Sequence, residues 1–325
     1  MIFSVAFVPL ATFSQEHAET CRSAFNFTDE FAVENTIEIC MNSSHIPYRY
    51  KAEIDMPVCT DTLCANVVLI FYWDLAGNYM GFDTIPGKPL TKFDHLEFDT
   101  ADYLKLDQIL KNRNSSLRIL NKEDLVDRSV KVKSNVVDAV TGATPKTIKN
   151  SVVEGAVYSS FTLWHFVNGA IKNRLASFTQ DIYSEQIARQ LLKSENYETQ
   201  LFALRKLSEK DFETHSDLLF EVIRKSAPLI KSFVIVKSPL PFSNIEKNKQ
   251  FVALFPELDD YSKSIFLNRI MDERNIALAF LPLMSTLLRD FDKKQLELIT
   301  NTYQKFEISG FQDLLEKMRK ENLPE

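Results

Sequence analysis

The chain has 325 residues, of which 45% are hydrophobic and 25% charged, an ordinary globular composition with enough length for about two domains. Its formal net charge of −6, with no basic stripe in the sequence, argues against a nucleic-acid partner. The 7 glycines are few beside 25 phenylalanines, which favours helices in at least part of the chain.

The N-terminus begins with an apolar run of about a dozen residues that turns polar at Gln15. This run is too short for a membrane span but suits the core of a secretory signal, although no Lys or Arg precedes it. A buried N-terminal strand is the alternative. We expect residues 1–15 to be a signal peptide and the mature protein to be soluble or tethered by its N-terminus.

All four cysteines, Cys21, Cys40, Cys59 and Cys64, lie in the first fifth of the chain. An even, clustered set behind an export signal predicts disulfides, and we prefer Cys21–Cys40 with Cys59–Cys64 among the three pairings. Cys59 and Cys64 could instead form a redox pair or half of a metal site. No second Cys/His pair has metal-ligand spacing, so we predict no zinc site.

A run of β-branched and aromatic residues, Ala65–Trp73, predicts a central strand covered on both faces. The residues Asp74–Asn78 then predict a hairpin turn, with Tyr79–Thr84 as the returning strand. Residues 50–56 alternate loosely and suggest another strand, whereas Phe25–Met41 is compatible with either helix or strand.

The next elements are mostly helical. The apolar spacing in Ala101–Asn112 predicts an amphipathic helix capped by Asp99 or Thr100. Val130–Val137 reads as a strand, and a long helical pattern runs from Pro145 to Lys172. This last pattern gathers aromatic residues on one side, namely Tyr158, Phe161, Trp164 and Phe166.

The stretch Asp138–Thr144, with the sequence Asp-Ala-Val-Thr-Gly-Ala-Thr, separates that strand from that helix. Gly142 permits a sharp turn, and Thr144 stands where a helix N-cap belongs. Pro145 suits the first helical position, and Lys146 adds a cation beside it. An anion at the Thr144 hydroxyl would therefore meet free backbone N–H groups and a positive helix end. A plain N-capped turn is the alternative.

The fixed positions of this stretch, Asp138, Thr141, Gly142, Ala143 and Thr144, resemble the flavin-attachment signature of the FMN-binding domain family. That domain occurs in peripheral subunits of the sodium-pumping quinone reductase and of the Rnf electron-transport complex. The resemblance implies that a flavin transferase joins FMN through its phosphate to Thr144. The other four residues would then form the recognition turn, with Lys146 beside the phosphate.

The same resemblance implies an α+β domain, with an antiparallel sheet and helices, over residues 16–175. The loop Ile85–Thr91 would contact the flavin, and part of the aromatic face would cover its ring, although packing against the sheet is the alternative for those aromatic residues. The protein would transfer electrons outside the cytoplasm, in the periplasm of a bacterium, with a redox protein or a membrane electron-transport complex as partner. No general acid/base pair is assigned, so we do not expect a turnover enzyme.

From about Ser177 the chain becomes a series of short amphipathic segments, rich in Leu and Phe and separated by Pro, Ser, Asn or Asp. Nine segments can be distinguished, and only Phe233–Val236 is ambiguous between strand and helix. Stacked helical hairpins of this length resemble HEAT-like repeats, so we expect an all-α, solenoid-like domain over residues 176–325 that binds protein. An irregular helical bundle is the alternative.

Three functions follow from these observations. The first is an exported flavoprotein with FMN on Thr144. The second is a non-catalytic interaction or assembly protein of the cell envelope, in which the helical repeats bind a partner. The third is thiol–disulfide chemistry at Cys59 and Cys64, which requires one accessible thiolate.

Overall fold

The computed structural model describes residues 19–58, 66–92, 95–125, 148–321 and 323, and the chain divides into two compact units, Met1–Ile187 and Ala188–Glu325. The expected signal peptide at residues 1–15 and the expected strand Val130–Val137 lie outside the described residues. Cys59 and Cys64 lie outside them as well.

The first unit contains a five-stranded antiparallel sheet whose strands are hydrogen-bonded in sequence order. The strands are β1 (Thr20–Thr28), β2 (Glu34–Met41), β3 (Pro47–Met56), β4 (Val67–Trp73) and β5 (Tyr79–Thr84). The three predicted strands are confirmed as β3, β4 and β5, and the ambiguous run Phe25–Met41 contributes to β1 and β2 rather than to a helix. β4 is central, because it pairs with β3 on one side and β5 on the other.

One face of this sheet forms the core of the first unit. The register places Tyr50 opposite Trp73, and Ala52 opposite Phe71, and all four side chains are fully buried. On the opposite face, burial is partial, since Tyr72 is only half-buried, so the prediction that β4 is covered on both faces is wrong. Burial alternates along β3, so the sheet has one fully buried face, here called the dry face, and one partly solvent-exposed face, as expected for an antiparallel sheet.

Three helices cover the dry face: α1 (Thr100–Lys111), α2 (Val157–Asn168) and α3 (Ala170–Asp181). The indole Nε1 of Trp73 donates to the carbonyl oxygen of Val167 at 3.1 Å, which satisfies a carbonyl in the last turn of α2. The hydroxyl oxygens of Tyr50 and Thr179 are 2.6 Å apart, which ties β3 to α3. These side-chain hydrogen bonds thus help to fix α2 and α3 on the sheet.

The predicted helix over Ala101–Asn112 is confirmed as α1. Asp99 is its N-cap, with a side chain that accepts from the backbone N–H of Asp102 at 2.9 Å. The Asp102 carboxylate in turn accepts from the backbone N–H of Asp99, which completes a capping box. The sequence was compatible with Asp99 or Thr100 as the N-cap, and this pair of hydrogen bonds shows that the N-cap is Asp99.

The prediction of one continuous helix from Pro145 to Lys172 is wrong in the part that the structure describes. Residues Lys149–Ser151 form a 3₁₀ turn, and Gly155 has a φ of 78°, which ends any helix there. The hydroxyl of Ser160 accepts from the backbone N–H of Val153 at 2.9 Å and so satisfies a donor in the irregular stretch before α2. Gly169 then separates α2 from α3, and the expected domain boundary at 175/176 falls inside α3.

The second unit is helical. Its helices follow α4 (Glu185–Leu192), which spans the boundary: α5 (Tyr197–Leu204), α6 (Glu209–Thr214), α7 (Ser216–Lys225), α8 (Pro228–Lys237), α9 (Ile245–Ala253), α10 (Asp260–Asp272), α11 (Arg274–Met284), α12 (Lys293–Lys305) and α13 (Phe311–Lys320). The nine predicted segments are confirmed, and the ambiguous run Phe233–Val236 lies within α8. α6 was not predicted, although its capping box of Ser208 and Asp211 is a readable start signal.

Helices of this unit that are not consecutive in the chain lie side by side. α8 packs against α5 and α10, α10 packs against α12, and α9 packs against α11. At the starts of α8 and α10, the ammonium of Lys231 lies 3.8 Å from the carboxylate of Asp259. At the ends of α10 and α12, Lys305 Nζ donates to the carbonyl oxygen of Met271 at 2.7 Å. The helices α8, α10 and α12 therefore run in the same direction. Among the described residues, none of the helices combines the length and apolarity that crossing a membrane requires.

The predicted disulfide between Cys21 and Cys40 is confirmed, and it joins residues that face each other across β1 and β2. The sequence separation of 19 residues makes the bond a constraint on the unfolded chain worth about 3 kcal/mol in the loop-entropy model. We expect the double variant Cys21→Ser, Cys40→Ser to lose about that much unfolding free energy in urea titrations. An unchanged midpoint would contradict this prediction, and a reductant should affect the wild type more than the variant.

The predicted hairpin turn is confirmed, and its geometry depends on Asp74 and Gly77. The Asp74 carboxylate accepts from the backbone N–H groups of Ala76 at 2.9 Å and Asn78 at 2.8 Å. Gly77 has a φ of 80°, and a Cβ at this position would lie 2.5 Å from the carbonyl oxygen of Lys172 in α3. The glycine is therefore required both by the backbone conformation and by the close approach of a helix.

We expect Gly77→Ala to lower the unfolding free energy by about 2–4 kcal/mol, because strain at positive φ adds to the clash with α3. Gly87 and Gly81 offer matched controls. Gly87 has a φ of 77° but open space around its Cβ position, and Gly81 has open space without a positive φ. Gly87→Ala should cost about 1–2 kcal/mol and Gly81→Ala less than about 1 kcal/mol. Equal effects for Gly77→Ala and Gly87→Ala would show that the contact with α3 contributes nothing.

Candidate functional site

The candidate flavin-site residues belong to a single stretch of the chain. Asp138, Thr141, Gly142, Ala143, Thr144 and Lys146 all lie within residues 126–147, outside the described residues. The structure describes the two flanks of that stretch, which are the 3₁₀ turn Lys122–Leu125 and residues 148–156. These two flanks are the described residues closest to the motif in the sequence.

Both flanks are anchored beside α2. Leu125 is fully buried, and the turn that contains it packs against α2. On the other side, Ile148 is 3% exposed, and the segment that follows it is tied to α2 by the hydrogen bond between Val153 and Ser160. The hydroxyls of Ser116 and Ser151, 3.0 Å apart, add a second link. The points where residues 126–147 leave and rejoin the described chain are thus held against the same helix.

The loop Ile85–Thr91, which the family resemblance places near the flavin, is an ordered turn. Lys88 donates its backbone N–H to the carbonyl oxygen of Ile85 at 3.0 Å, with Gly87 at positive φ between them. The backbone N–H of Leu90 donates to the hydroxyl of Tyr103 in α1 at 2.9 Å. This hydrogen bond therefore fixes the end of the loop to α1.

The downstream flank lies close to the end of this loop. Lys92 donates to the carboxylate of Asp102 at 2.5 Å, and this hydrogen bond is the main reason that the pKa of Lys92 is raised. The carboxylate of Glu154 raises the pKa of Lys92 further through its charge. Glu154 belongs to the segment that follows the motif. Lys92, which follows the loop, therefore lies within electrostatic reach of the downstream flank.

The aromatic side chains of α2 are packed into the core. Phe161, Trp164 and Phe166 are at most 6% exposed, and only Tyr158 is half-buried. The ring of Phe166 lies 5.9 Å from that of Phe71 in the sheet, measured between centroids. Trp164 Nε1 donates to the carbonyl oxygen of Asn112 at 2.9 Å, beyond the end of α1. For these three residues the packing interpretation is confirmed.

Glu19, Cys21 and Cys40 bring one carboxylate and two sulfur atoms within 4.8 Å of one another. Both sulfur atoms are joined in the disulfide and are not thiolate ligands in this state. The Glu19 carboxylate accepts from Arg49 Nε at 2.7 Å, and this bond lowers the pKa of Glu19. The Arg49 guanidinium also lies 4.3 Å from the ring centroid of Tyr72. This cluster therefore has a structural role on the partly solvent-exposed face of the sheet.

A second charged cluster, which the sequence did not indicate, lies at the β4–β5 hairpin. Arg113 Nη1 donates to the side-chain oxygen of Asn78 at 3.2 Å. Burial lowers the pKa of Lys172 to about 8, and the nearby Arg113 guanidinium contributes in the same direction, whereas Asp74 opposes it. The residues come from a turn, the end of α1 and α3, so no local pattern in the sequence could connect them.

The second unit contains an open groove of about 650 Å³ that was not predicted. It lies between the start of α6, the turn after α8, and α10. Arg269 of α10 lines it and donates through Nη1 to the carbonyl oxygens of Ile235 at 2.7 Å and Ser238 at 3.1 Å. This arginine satisfies backbone acceptors at the end of α8 that no helical N–H can reach.

No protein-family model, curated protein or solved structure matches this chain. The features of the chain that bear on its function are the motif Asp138–Thr144, the α+β unit and the surface of the helical unit.

Proposed function

We propose that this protein is an extracytoplasmic flavoprotein that carries FMN on Thr144 through a phosphodiester bond and acts in electron transfer. The observation that carries the proposal is the sequence Asp138-Ala-Val-Thr-Gly-Ala-Thr144, in which all five fixed positions of the attachment signature are present. A chance match of this kind is expected in on the order of one chain in a thousand at average residue usage.

Four residues in and just after the motif have chemical tasks in this proposal. The Thr144 hydroxyl oxygen would attack the flavin phosphate of a flavin adenine dinucleotide donor, so that the phosphodiester with FMN forms as AMP leaves. A flavin transferase would be needed to make that bond and to accept the hydroxyl proton. Gly142 and Ala143 would let the backbone turn closely around the attachment point, because neither has a large side chain. Lys146 would offset the negative charge of the phosphodiester. The bound flavin would supply the redox chemistry.

Features of the first unit support this proposal. An antiparallel sheet with packed helices agrees with the architecture that the family resemblance implies. Anchoring of Leu125 and Ile148 beside α2 would hold a covalently bound group near a rigid scaffold. The Cys21–Cys40 disulfide supports an oxidising, extracytoplasmic compartment, where a covalent link would also prevent loss of the cofactor.

For the second unit we propose a solenoid of HEAT-like helical hairpins that binds a protein partner, either a redox protein or a membrane electron-transport complex. The side-by-side arrangement of α5, α8, α10 and α12, with α9 against α11 in the alternate positions, supports this interpretation. An alternative is an envelope assembly protein without flavin. The exposed apolar residues of the helical unit, such as Leu229 and Tyr261, favour that alternative independently of the motif.

The proposal is tested by the intact mass and visible absorption of the protein after export from a host that supplies a flavin transferase. We expect one FMN per chain, retained after denaturation. An unmodified protein, under conditions that flavinylate a known acceptor domain, would favour the assembly alternative.

A further inference from the structure

Three helices of the second unit present matching residues at intervals of 32 positions. Positions 197, 229 and 261 hold Tyr, Leu and Tyr, and positions 201, 233 and 265 hold Leu, Phe and Ile. Positions 205, 237 and 269 hold Arg, Lys and Arg. These nine residues, here called the repeat face, lie on α5, α8 and α10 or directly after α5. Each of these three sets of positions is one row. Within a helix, each row lies four residues after the row before it, so the three rows follow one side of the helix.

The first row is exposed to solvent. Tyr197 is 48% exposed, Leu229 is 53% exposed and Tyr261 is 60% exposed. The second row, Leu201, Phe233 and Ile265, is half-buried. Single exposed apolar residues are ordinary, but the side-by-side packing of α5, α8 and α10 places three exposed and three half-buried apolar residues at equivalent positions of neighbouring helices. Contiguous apolar surface of this kind marks an interaction site.

The rows have a fixed order, because the three helices run in the same direction. The contact between Lys231 and Asp259 aligns the starts of α8 and α10. The open groove aligns the other ends, since it is lined by Leu207 just after α5, by Lys237 at the end of α8 and by Arg269 in the last turn of α10. The repeat face is therefore apolar toward the helix starts and basic toward the helix ends.

The basic row carries positive charge that is only partly neutralised. Arg205 and Lys237 are exposed, and neither forms an ion pair with another residue in the part of the chain that the structure describes. Arg269 lies 3.4 Å from the carboxylate of Glu273. Glu209 is the acidic residue of the groove lining, and Val236, 55% exposed, extends the apolar surface to the groove. The three basic residues Arg205, Lys237 and Arg269 therefore outnumber Glu209 and Glu273 at this end of the repeat face.

We propose that the repeat face binds an amphipathic helix of a partner protein that has acidic residues along one edge. Its apolar side chains lie across the first two rows, as in other helix-in-groove complexes. Its carboxylates meet Arg205, Lys237 and Arg269 toward the helix ends, where complementary charge fixes its orientation. This inference rests on the proposed role of the helical unit in partner binding, and it does not require flavin on Thr144.

The test uses the full chain and a fluorescently labelled synthetic helix with Leu on one side and Glu along one edge. A control helix carries Lys in place of each Glu. We expect the Glu helix to bind at least tenfold more tightly than the Lys helix, as measured by fluorescence anisotropy. Binding of the Glu helix should also weaken as the salt concentration rises, because exposed charges are screened. Equal binding of the two helices, or binding of neither, would overturn the proposal.

Substitutions on the surface locate the site. Leu229→Ser and Tyr261→Ser should each weaken binding about tenfold, as expected for central apolar contacts. Lys237→Glu should weaken it several-fold and flatten its salt dependence. Leu278→Ser and Arg274→Glu are matched controls on exposed positions of α11, and both should bind as the wild type does. Equal losses in the control variants would place the helix elsewhere and overturn the proposal.

Two further measurements distinguish the partner helix from two other possible occupants of the repeat face, a membrane and a second copy of this chain. If Leu229→Ser abolishes binding to vesicles of anionic phospholipid while the Glu helix does not bind, the face contacts a membrane and the proposal is wrong. If the wild type is a dimer by light scattering and Tyr261→Ser is a monomer, a second copy is the occupant. Thr144→Ala should bind the Glu helix normally. A protein that lacks flavin but binds the helix therefore contradicts the flavoprotein proposal alone.

Discussion

Replacing Thr144 with alanine is expected to remove the covalent flavin completely, from one FMN per chain to none. Alanine lacks the hydroxyl oxygen that the phosphoester requires, so no weaker form of the same bond is available. The measurement is the intact mass of the exported protein, together with in-gel flavin fluorescence after denaturation. Both readouts report a covalent bond rather than a bound cofactor.

Thr147→Ala is the matched control, because it removes another threonine hydroxyl three residues away. This variant should carry the same FMN as the wild type. Asp138→Asn should reduce the modified fraction without abolishing it, since Asp138 is expected to contribute to recognition rather than to the bond. Flavin on the Thr144→Ala variant would show that the attachment lies elsewhere and would remove the basis for the proposed function.

Replacing Trp73 with alanine is expected to lower the unfolding free energy of the first unit by about 3–5 kcal/mol. Trp73 is fully buried in β4 opposite Tyr50, and its indole donates to the carbonyl oxygen of Val167. The substitution therefore leaves both a large cavity and a helix-end carbonyl without its donor. Urea titration followed by circular dichroism measures the effect as a shift of the unfolding midpoint.

Two further variants separate these contributions. Trp73→Phe keeps most of the aromatic volume but removes the donor, so it should cost about 1–3 kcal/mol. Met80→Ala is a control in the neighbouring strand β5, where the side chain is 48% exposed, and it should change the unfolding free energy by less than about 1 kcal/mol. If Trp73→Ala and Met80→Ala have similar effects, the core does not lie on this face of the sheet.

Local patterns in the sequence were sufficient for most individual elements. β4, the turn at Asp74 and β5 were predictable because a β-branched run, an Asp-x-x-Gly turn and a second short run are all local signals. The nine helical segments after Ser177 were predictable for the same reason, since amphipathic periodicity survives in short helices. The interruption before α2 was not predictable, because apolar residues continue in phase across Gly155 and only the φ of that glycine reveals the break.

The sequence by itself determined most of the elements and the motif Asp138–Thr144, because a turn signal and an attachment signature depend on neighbouring residues in the chain. Only the tertiary structure decided which surfaces these elements share. Packing of α5, α8 and α10 side by side turned three residues 32 positions apart into one exposed row. Packing of α2 on the sheet buried Phe161, Trp164 and Phe166, which periodicity alone left available for a ligand. The physical reason is that burial and charge complementarity are properties of contacts between distant segments, which no local pattern encodes.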